Sequence, residues 1–262
     1  PGLVFHLLAG DDRYATRLTT IHRQTEASGI PVVAQAIRSP GRSKLQWNRY
    51  AGKSDGVFLL DCPDRELLEQ AESVINDLGG FPAQDHSVQI VAARNETVGR
   101  FNLHFHDAYR AGQPYLRGTG GQSFSAGDPV VHTVNDYKRG LFNGVLGYVT
   151  GAQPQDHKLT CEFMGKTYEF TEKTLGNISL AYALTAHKMQ GSQAERVVVL
   201  IEPTLLAEPT WLYTAITRAE RQVIIVGATS NLVTALKRKP AFLTRNVGFR
   251  LSGCSMNHAA LP

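Results

Sequence analysis

Apolar positions along this chain follow two rhythms that trade places more than once. Gly56-Val57-Phe58-Leu59-Leu60-Asp61 is a short continuous apolar run, which predicts a buried strand. Over residues 64 to 78, Leu67, Leu68, Ala71, Val74, Ile75 and Leu78 recur at three-to-four spacing, which predicts an amphipathic helix with its charges outward. Val88-Gln89-Ile90-Val91-Ala92 predicts the next strand, and a helical pattern follows over about 97 to 111. From Arg17 to Ala36 the pattern is also helical, except at Gly29-Ile30-Pro31, where one helix ends and another begins. Strand alternating with helix argues for a parallel sheet covered on both faces.

The rhythm breaks near Phe124. From there to about Thr174 the chain is glycine-rich and strand-like, with Asp128 to Val134, Gly147 to Thr150, Leu159 to Phe163 and Lys166 to Phe170 as candidate strands. Several short strands in about 50 residues predict a small barrel. The first rhythm then returns: a helix near 180 to 190, a strand over Arg196 to Ile201, a helix around 209 to 219 and a strand over Gln222 to Val226. The barrel is therefore an insertion. The expected layout is an α/β domain over 1–123, the insertion over 124–175, the rest of the α/β domain over 176–232, and a basic tail over 233–262 containing Lys237-Arg238-Lys239.

Composition changes this picture little. With 262 residues and 42% hydrophobic content the chain can bury a full core. No apolar run approaches the roughly 18 residues of a membrane helix, which leads to the expectation of a cytoplasmic protein with no membrane partner. Cys62, Cys161 and Cys254 lie far apart, so neither a zinc site nor a disulfide framework is indicated, and no metal ligands are assigned. A net charge of +4 is compatible with a polyanionic partner. Gly52-Lys53-Ser54 mimics the end of a phosphate-binding loop, but Trp47 stands where the first glycine belongs, and the triplet precedes a strand instead of opening a helix. It reads as a plain turn. Asp61 closes an apolar strand as a magnesium ligand would, yet no phosphate loop lies upstream.

Two segments separated by one strand carry the strongest chemical signal. Ala181-Tyr182-Ala183-Leu184-Thr185-Ala186-His187-Lys188-Met189-Gln190-Gly191-Ser192-Gln193 resembles motif V of superfamily-1 helicases, and Leu212-Tyr213-Thr214-Ala215-Ile216-Thr217-Arg218-Ala219-Glu220-Arg221 resembles motif VI. Arg17 to Gln24 is similar to motif IV, and Pro1-Gly2 to the tail of motif III, as though the chain were cut from a longer parent. Gly127-Asp128-Pro129-Val130-Val131, Asn135-Asp136-Tyr137 and Leu141-Phe142-Asn143-Gly144 are similar to the SH3-like barrel placed before motif V in RecD-like helicases. The order holds over nearly the whole chain. The resemblance implies a RecA-like fold with an SH3-like insertion, the second motor domain of a 5′ to 3′ DNA helicase.

The same resemblance assigns roles. Arg23 and Arg218 match the family's arginine fingers, cations aimed across a cleft at the γ-phosphate, where phosphoryl transfer concentrates charge. Gln24, Gly191 and Gln193 fall near the nucleotide, although Gln193 stands where relatives commonly carry glutamate. Thr185 and His187 match a segment that grips a single strand, Arg94, Asn95 and Thr97 resemble a second strand-contacting motif, and Asn135, Tyr137 and Asn143 are candidates in the insertion. Each has a plainer reading: a solvated terminal arginine, a helix cap with a satisfied histidine, a polar loop, residues that shape turns. ATP and Mg2+ are expected mainly on the missing N-terminal motor domain of the parent, so this chain alone is expected not to hydrolyse ATP. Expected partners are single-stranded DNA, that first domain, and nuclease or helicase subunits. Two other readings stay open at this point: a non-catalytic module that binds single-stranded nucleic acid, and the helicase part of a conjugative relaxase.

Overall fold

The computed structural model describes residues 28–39, 41–81 and 85–240. Arg23, Gln24, Pro1-Gly2 and the end of the expected tail lie outside the described residues.

Six strands form a wholly parallel sheet. In chain order they are β1 (Asn48–Arg49), β2 (Gly56–Leu60), β3 (Val88–Ala92), β11 (Ala183–Thr185), β12 (Ala194–Leu200) and β13 (Ala219–Val226). Across the sheet they run β1, β2, β13, β12, β3, β11. Alternating side chains of β12 show why the apolar runs are continuous. Val198 and Leu200 join one core with Leu67, Ala71, Val74 and Ile75 of α2 (Leu67–Asp77) and with Phe101 and Phe105 of α3 (Asn95–Arg110). Val197, Val199 and Ile201 join another with Ile30 and Ile37 of α1 (Ile30–Arg38), Leu212 and Ile216 of α4 (Pro209–Ile216), and Leu232 and Leu236 of α5 (Thr229–Lys237). A strand covered on both faces has no polar side to alternate with. Gly29, in the left-handed region at φ 66°, precedes α1, with Pro31 in its first turn, as the sequence implied.

Two expectations fail here. The stretch expected as a helix near 180 to 190 is instead the edge strand β11 followed by turns through Gly191. Ala181 to Leu184 are buried all round, and a short apolar run of that kind carries no periodicity that separates strand from helix. The basic tail expected from 233 is not loose at its start. It continues α5, whose Leu232, Ala235 and Leu236 are buried, while Asp61 accepts a 2.7 Å bond from the Thr229 amide and caps that helix. The carboxylate that mimicked a magnesium ligand is thus a helix cap.

Between α3 and β11 the chain leaves the parallel sheet. β4 (Tyr115–Arg117) and β5 (Ser123–Ser125) pair as a separate antiparallel ribbon. β6 (Pro129–His132), β7 (Leu146–Gln153), β8 (Lys158–Phe163), β9 (Lys166–Thr171) and β10 (Ile178–Leu180) form a five-stranded antiparallel sheet in the order β10, β6, β7, β8, β9. This sheet thus spans 129–180.

Asp128 joins the two sheets. It is fully buried, and its carboxylate accepts bonds from Tyr182 Oη (2.7 Å), the Ser125 amide (2.7 Å), His106 Nδ1 (2.9 Å) and Arg110 Nε (3.2 Å). His106 and Arg110 come from α3, and Tyr182 leads directly into β11. Burial and the neighbouring carboxylate push the Tyr182 hydroxyl well above its usual pKa. A second link is the His86 ring stacked on Tyr148 of β7, with centroids 4.2 Å apart and planes 22° apart. Burial pushes His86 down from 6.5 to about 4, against a weaker opposing pull from Asp85.

Replacing Asp128 with alanine removes the acceptor common to all four donors. It is expected to destabilise the fold by about 3–5 kcal/mol in urea titrations, the cost of breaking a buried charge pair. For His86 the folded pKa lies below the unfolded value, so its contribution is fully present above pH 6.5 and is lost as pH falls from there towards 4. The difference in melting temperature between wild type and His86→Phe, followed across that window, is expected to shift steadily in favour of the variant on acidification.

Candidate functional site: two edges of one sheet

The candidate residues divide between opposite edges of the parallel sheet. Thr185 ends β11 and lies opposite Ala92, the end of β3. Both strands run the same way, so Thr185 and the start of α3 share the C-terminal edge. The Thr185 hydroxyl accepts a 3.3 Å bond from the Lys188 amide and its carbonyl a 3.2 Å bond from the Met189 amide, which curls the chain and leaves His187 exposed. Beside it, Arg94 precedes α3 and pairs with Glu96, and Asn95 is exposed.

Thr97 does not join them. It is 4% exposed, and its hydroxyl donates a 2.6 Å bond to Glu202 just past β12. The expectation of a strand contact there is corrected: on the first turn of α3, position 97 points back into the domain, and the hydroxyl serves a buried carboxylate. Glu202 Oε1 is buried with no hydrogen-bond partner.

The insertion reaches the same edge. In the segment joining β6 to β7, Asn135 Oδ1 accepts a 2.9 Å bond from the Asn143 amide, so this pair shapes the loop. Tyr137 stands 77% exposed at its tip. Gly144 follows at φ 91°, and a Cβ added there would come 3.4 Å from the Lys188 carbonyl oxygen, so this loop abuts the turn that carries His187.

Arg218 lies at the opposite edge, between α4 and the first residue of β13. Its Nε donates to the Thr214 carbonyl (3.1 Å) and its Nη1 to the Met189 carbonyl (3.4 Å), while the Ala194 amide donates to its own carbonyl (3.0 Å). Gly191 is exposed at φ 94°, with nothing within 4 Å of where a Cβ would be. Gln193 is half-buried and its Nε2 is buried with no hydrogen-bond partner. A guanidinium, an open backbone turn and an orphan amide donor fit an anionic, oxygen-rich ligand such as a nucleotide. Arg221, by contrast, is braced by Asp55 (3.1 Å) and Glu195 (3.1 Å) at the surface. Among the described residues no group of three or more His, Cys, Asp or Glu side chains is placed to hold a metal ion.

Residues 186–193 connect the two edges. The segment leaves Thr185 at the C-terminal edge and delivers the chain to Ala194 at the N-terminal edge, with Met189 fully buried between them. The Met189 carbonyl that holds Arg218 was invisible in the sequence, because a main-chain acceptor carries no residue signature. Glu202 gave a fainter signal, as the first carboxylate after the apolar run Val197 to Ile201.

This parallel sheet with helices on both faces is a RecA-like α/β arrangement. Residues 180–226 match the UvrD-like helicase C-terminal domain. The chain is 34% identical over 236 residues to the ATP-dependent RecD2 DNA helicase of Deinococcus radiodurans, covering 81% of this chain and 32% of that protein. It is 35% identical over 247 residues to the RecBCD enzyme subunit RecD of Mycobacterium tuberculosis, covering 87% of this chain and 41% of that one. Among solved structures, the Bacteroides Pif1 helicase in complex with ADP-AlF3 and ssDNA superposes with a TM-score of 0.51 at 18% identity, over 80% of this chain and 51% of that one. That likeness speaks for the fold alone. By sequence the chain is thus similar to RecD-like superfamily-1 helicases, and it spans 32% to 41% of the length of these two relatives. Among the described residues no helix is long and apolar enough to cross a membrane.

Thr97→Val keeps the shape of the first turn of α3 but strips Glu202 of its donor. The expected cost is about 1–3 kcal/mol in denaturant midpoint experiments, more than an exposed threonine would give.

Proposed function

We propose that this chain is the second motor domain of an ATP-dependent DNA helicase that moves 5′ to 3′ on single-stranded DNA. Arg218, with Arg23, faces the γ-phosphate of ATP held mainly by a first motor domain of the parent protein, where Mg2+ is also bound. Gly191, Gln193 and Gln24 line the near side of that nucleotide. Thr185, His187, Arg94 and Asn95 hold strand phosphates at the other edge, with Asn135, Tyr137 and Asn143 of an SH3-like insertion beside them. Thr97 acts through the helix it anchors.

One observation carries this reading: residues 186–193 run without a break from Thr185 to the edge where Arg218 bonds the Met189 carbonyl. Arginine supplies a planar, permanently charged donor to the oxygens that gain charge as the phosphoryl group departs. When the two motor domains close on ATP, a pull on Arg218 is carried by its bond to Met189 into the turn that presents His187. Closure and reopening then shift this grip along the strand relative to that of the first domain, a hinge cycle driven by nucleotide.

The chain alone is expected to show no ATP turnover above background. In the two-domain parent, Arg218→Ala is expected to lower kcat for ATP by about 10³-fold or more, and Arg218→Lys to recover little of it. Thr185→Ala and His187→Ala are expected to weaken single-stranded DNA binding by about 5- to 10-fold each. Turnover by the isolated chain that Arg218→Ala abolishes, or a parent whose turnover survives Arg218→Ala, would overturn the reading.

A further inference from the structure

The segment between β6 and β7 presents two large aromatic side chains to water. Tyr137 is 77% exposed and Phe142 is 47% exposed, and their rings meet edge to face with centroids 6.0 Å apart and planes at 75°. Other aromatics of the neighbourhood, Phe124, Phe163 and Phe170, are buried. Isolated apolar residues at a surface need no explanation, but a touching pair on one tip leaves a contiguous apolar area in water.

That tip is braced. Asp136 and Leu141 exchange both main-chain hydrogen bonds, at 2.7 and 3.0 Å. The Asp136 carboxylate accepts from the Arg139 amide (3.1 Å), and Asn135 accepts from the Asn143 amide (2.9 Å). Leu141 is fully buried beneath the loop. Arg139 folds back over the Phe170 and Tyr168 rings and donates a 2.9 Å bond to the Glu169 carbonyl. The rings are therefore held out in a fixed corner, and a ligand that stacks there need not order the loop first.

The surroundings select the ligand. Beyond Phe142 the loop abuts the Lys188 carbonyl through Gly144, so the corner continues the edge that carries Thr185 and His187. Exposed Lys138 follows Tyr137 directly in the chain, and exposed Asn135 and Asn143 flank the two rings. Flat apolar faces alternating with cations and amides match a polymer that alternates flat bases with anionic phosphates, and aliphatic side chains would be better served by an unbroken apolar surface.

We infer that Tyr137 and Phe142 form a base-stacking corner that takes one unpaired nucleobase of the strand held at Thr185 and His187, whatever its sequence. The inference rests on the strand-gripping reading above and adds Phe142 as the second wall. Every base has a π-face, so a stacking corner lets successive bases pass without a sequence-dependent trap. It also adds a component of binding that salt does not screen, because neither ring carries charge.

The test is fluorescence anisotropy of the 262-residue chain with a labelled oligothymidylate across a salt series. Phe142→Ala and Tyr137→Ala are each expected to weaken binding by about 5- to 150-fold, the range for loss of one stacked base. The slope of log affinity against log salt is expected to stay unchanged, since no phosphate contact is removed. Phe142→Trp is expected to restore most of the affinity, and a probe with an abasic backbone to bind wild type and Phe142→Ala alike. Thermal melts of the variants are expected to match wild type, because the ring is exposed. Wild type that binds the strand, with Phe142→Ala within about twofold of it, would overturn the corner and leave the grip standing. If that same variant also lost a self-association seen by sedimentation, the rings would be a protein contact instead. Wild type that binds no strand at all would overturn both readings.

Discussion

Asp128 has no contact with water, and four donors from three stretches of the chain converge on its carboxylate. A lone carboxylate buried in this way would cost several kcal/mol. Here a guanidinium from α3, an imidazole one turn earlier, the Ser125 amide and the Tyr182 hydroxyl offset that cost together. The same atoms belong to different layers: α3 covers the parallel sheet, Asp128 opens the antiparallel one, and Tyr182 starts the return. Their mutual bonding fixes how the second sheet sits on the first. Two features near the candidate strand edge depend on it, the end of β11 at Thr185 and the loop from Asn135 to Gly144.

From that anchored point the chain has one short path to the opposite edge. Parallel strands must be joined across the length of the sheet, and residues 186–193 make the crossing with turns in place of a helix. Met189, fully buried midway, pins the segment into the core beside α4, and its carbonyl accepts from Arg218. Met189 fills the core without costing a polar contact, because the atom that Arg218 bonds is its main-chain carbonyl oxygen. In the proposed cycle the grip and the nucleotide sensor share this one segment.

Much of the parallel sheet was legible from pattern. β2, β3, β12 and β13 are apolar runs bounded by polar residues, and α2 and α3 carry stripes at helical spacing, so local sequence and final environment agree. The stretch from Ala181 to Met189 was not legible as structure, although it was the most legible as a motif. Its apolar residues are buried on every side, which erases the periodicity that would separate strand from helix. The start of the supposed tail failed for a related reason. Lys237-Arg238-Lys239 drew the eye to charge, while the Leu232, Ala235 and Leu236 stripe just before it is what packs. Thr97 and Phe142 were misjudged or passed over because residue type does not say which way a side chain points.

By itself, then, the sequence determined the alternation that makes a parallel sheet, the place where an antiparallel unit interrupts it, and the kinship of the residues around Thr185 and Arg218. These are local properties, written in neighbours three or four positions apart or in short contiguous motifs. Only the tertiary structure decided that Thr185 and Arg218 stand at opposite edges, that Thr97 turns inward to Glu202, and that Asp128 gathers donors from both sheets. Those facts rest on partners 105 residues apart for Thr97 and 54 apart for Tyr182. No window along the chain contains both members of such a pair, and their meeting is set by how the sheets pack.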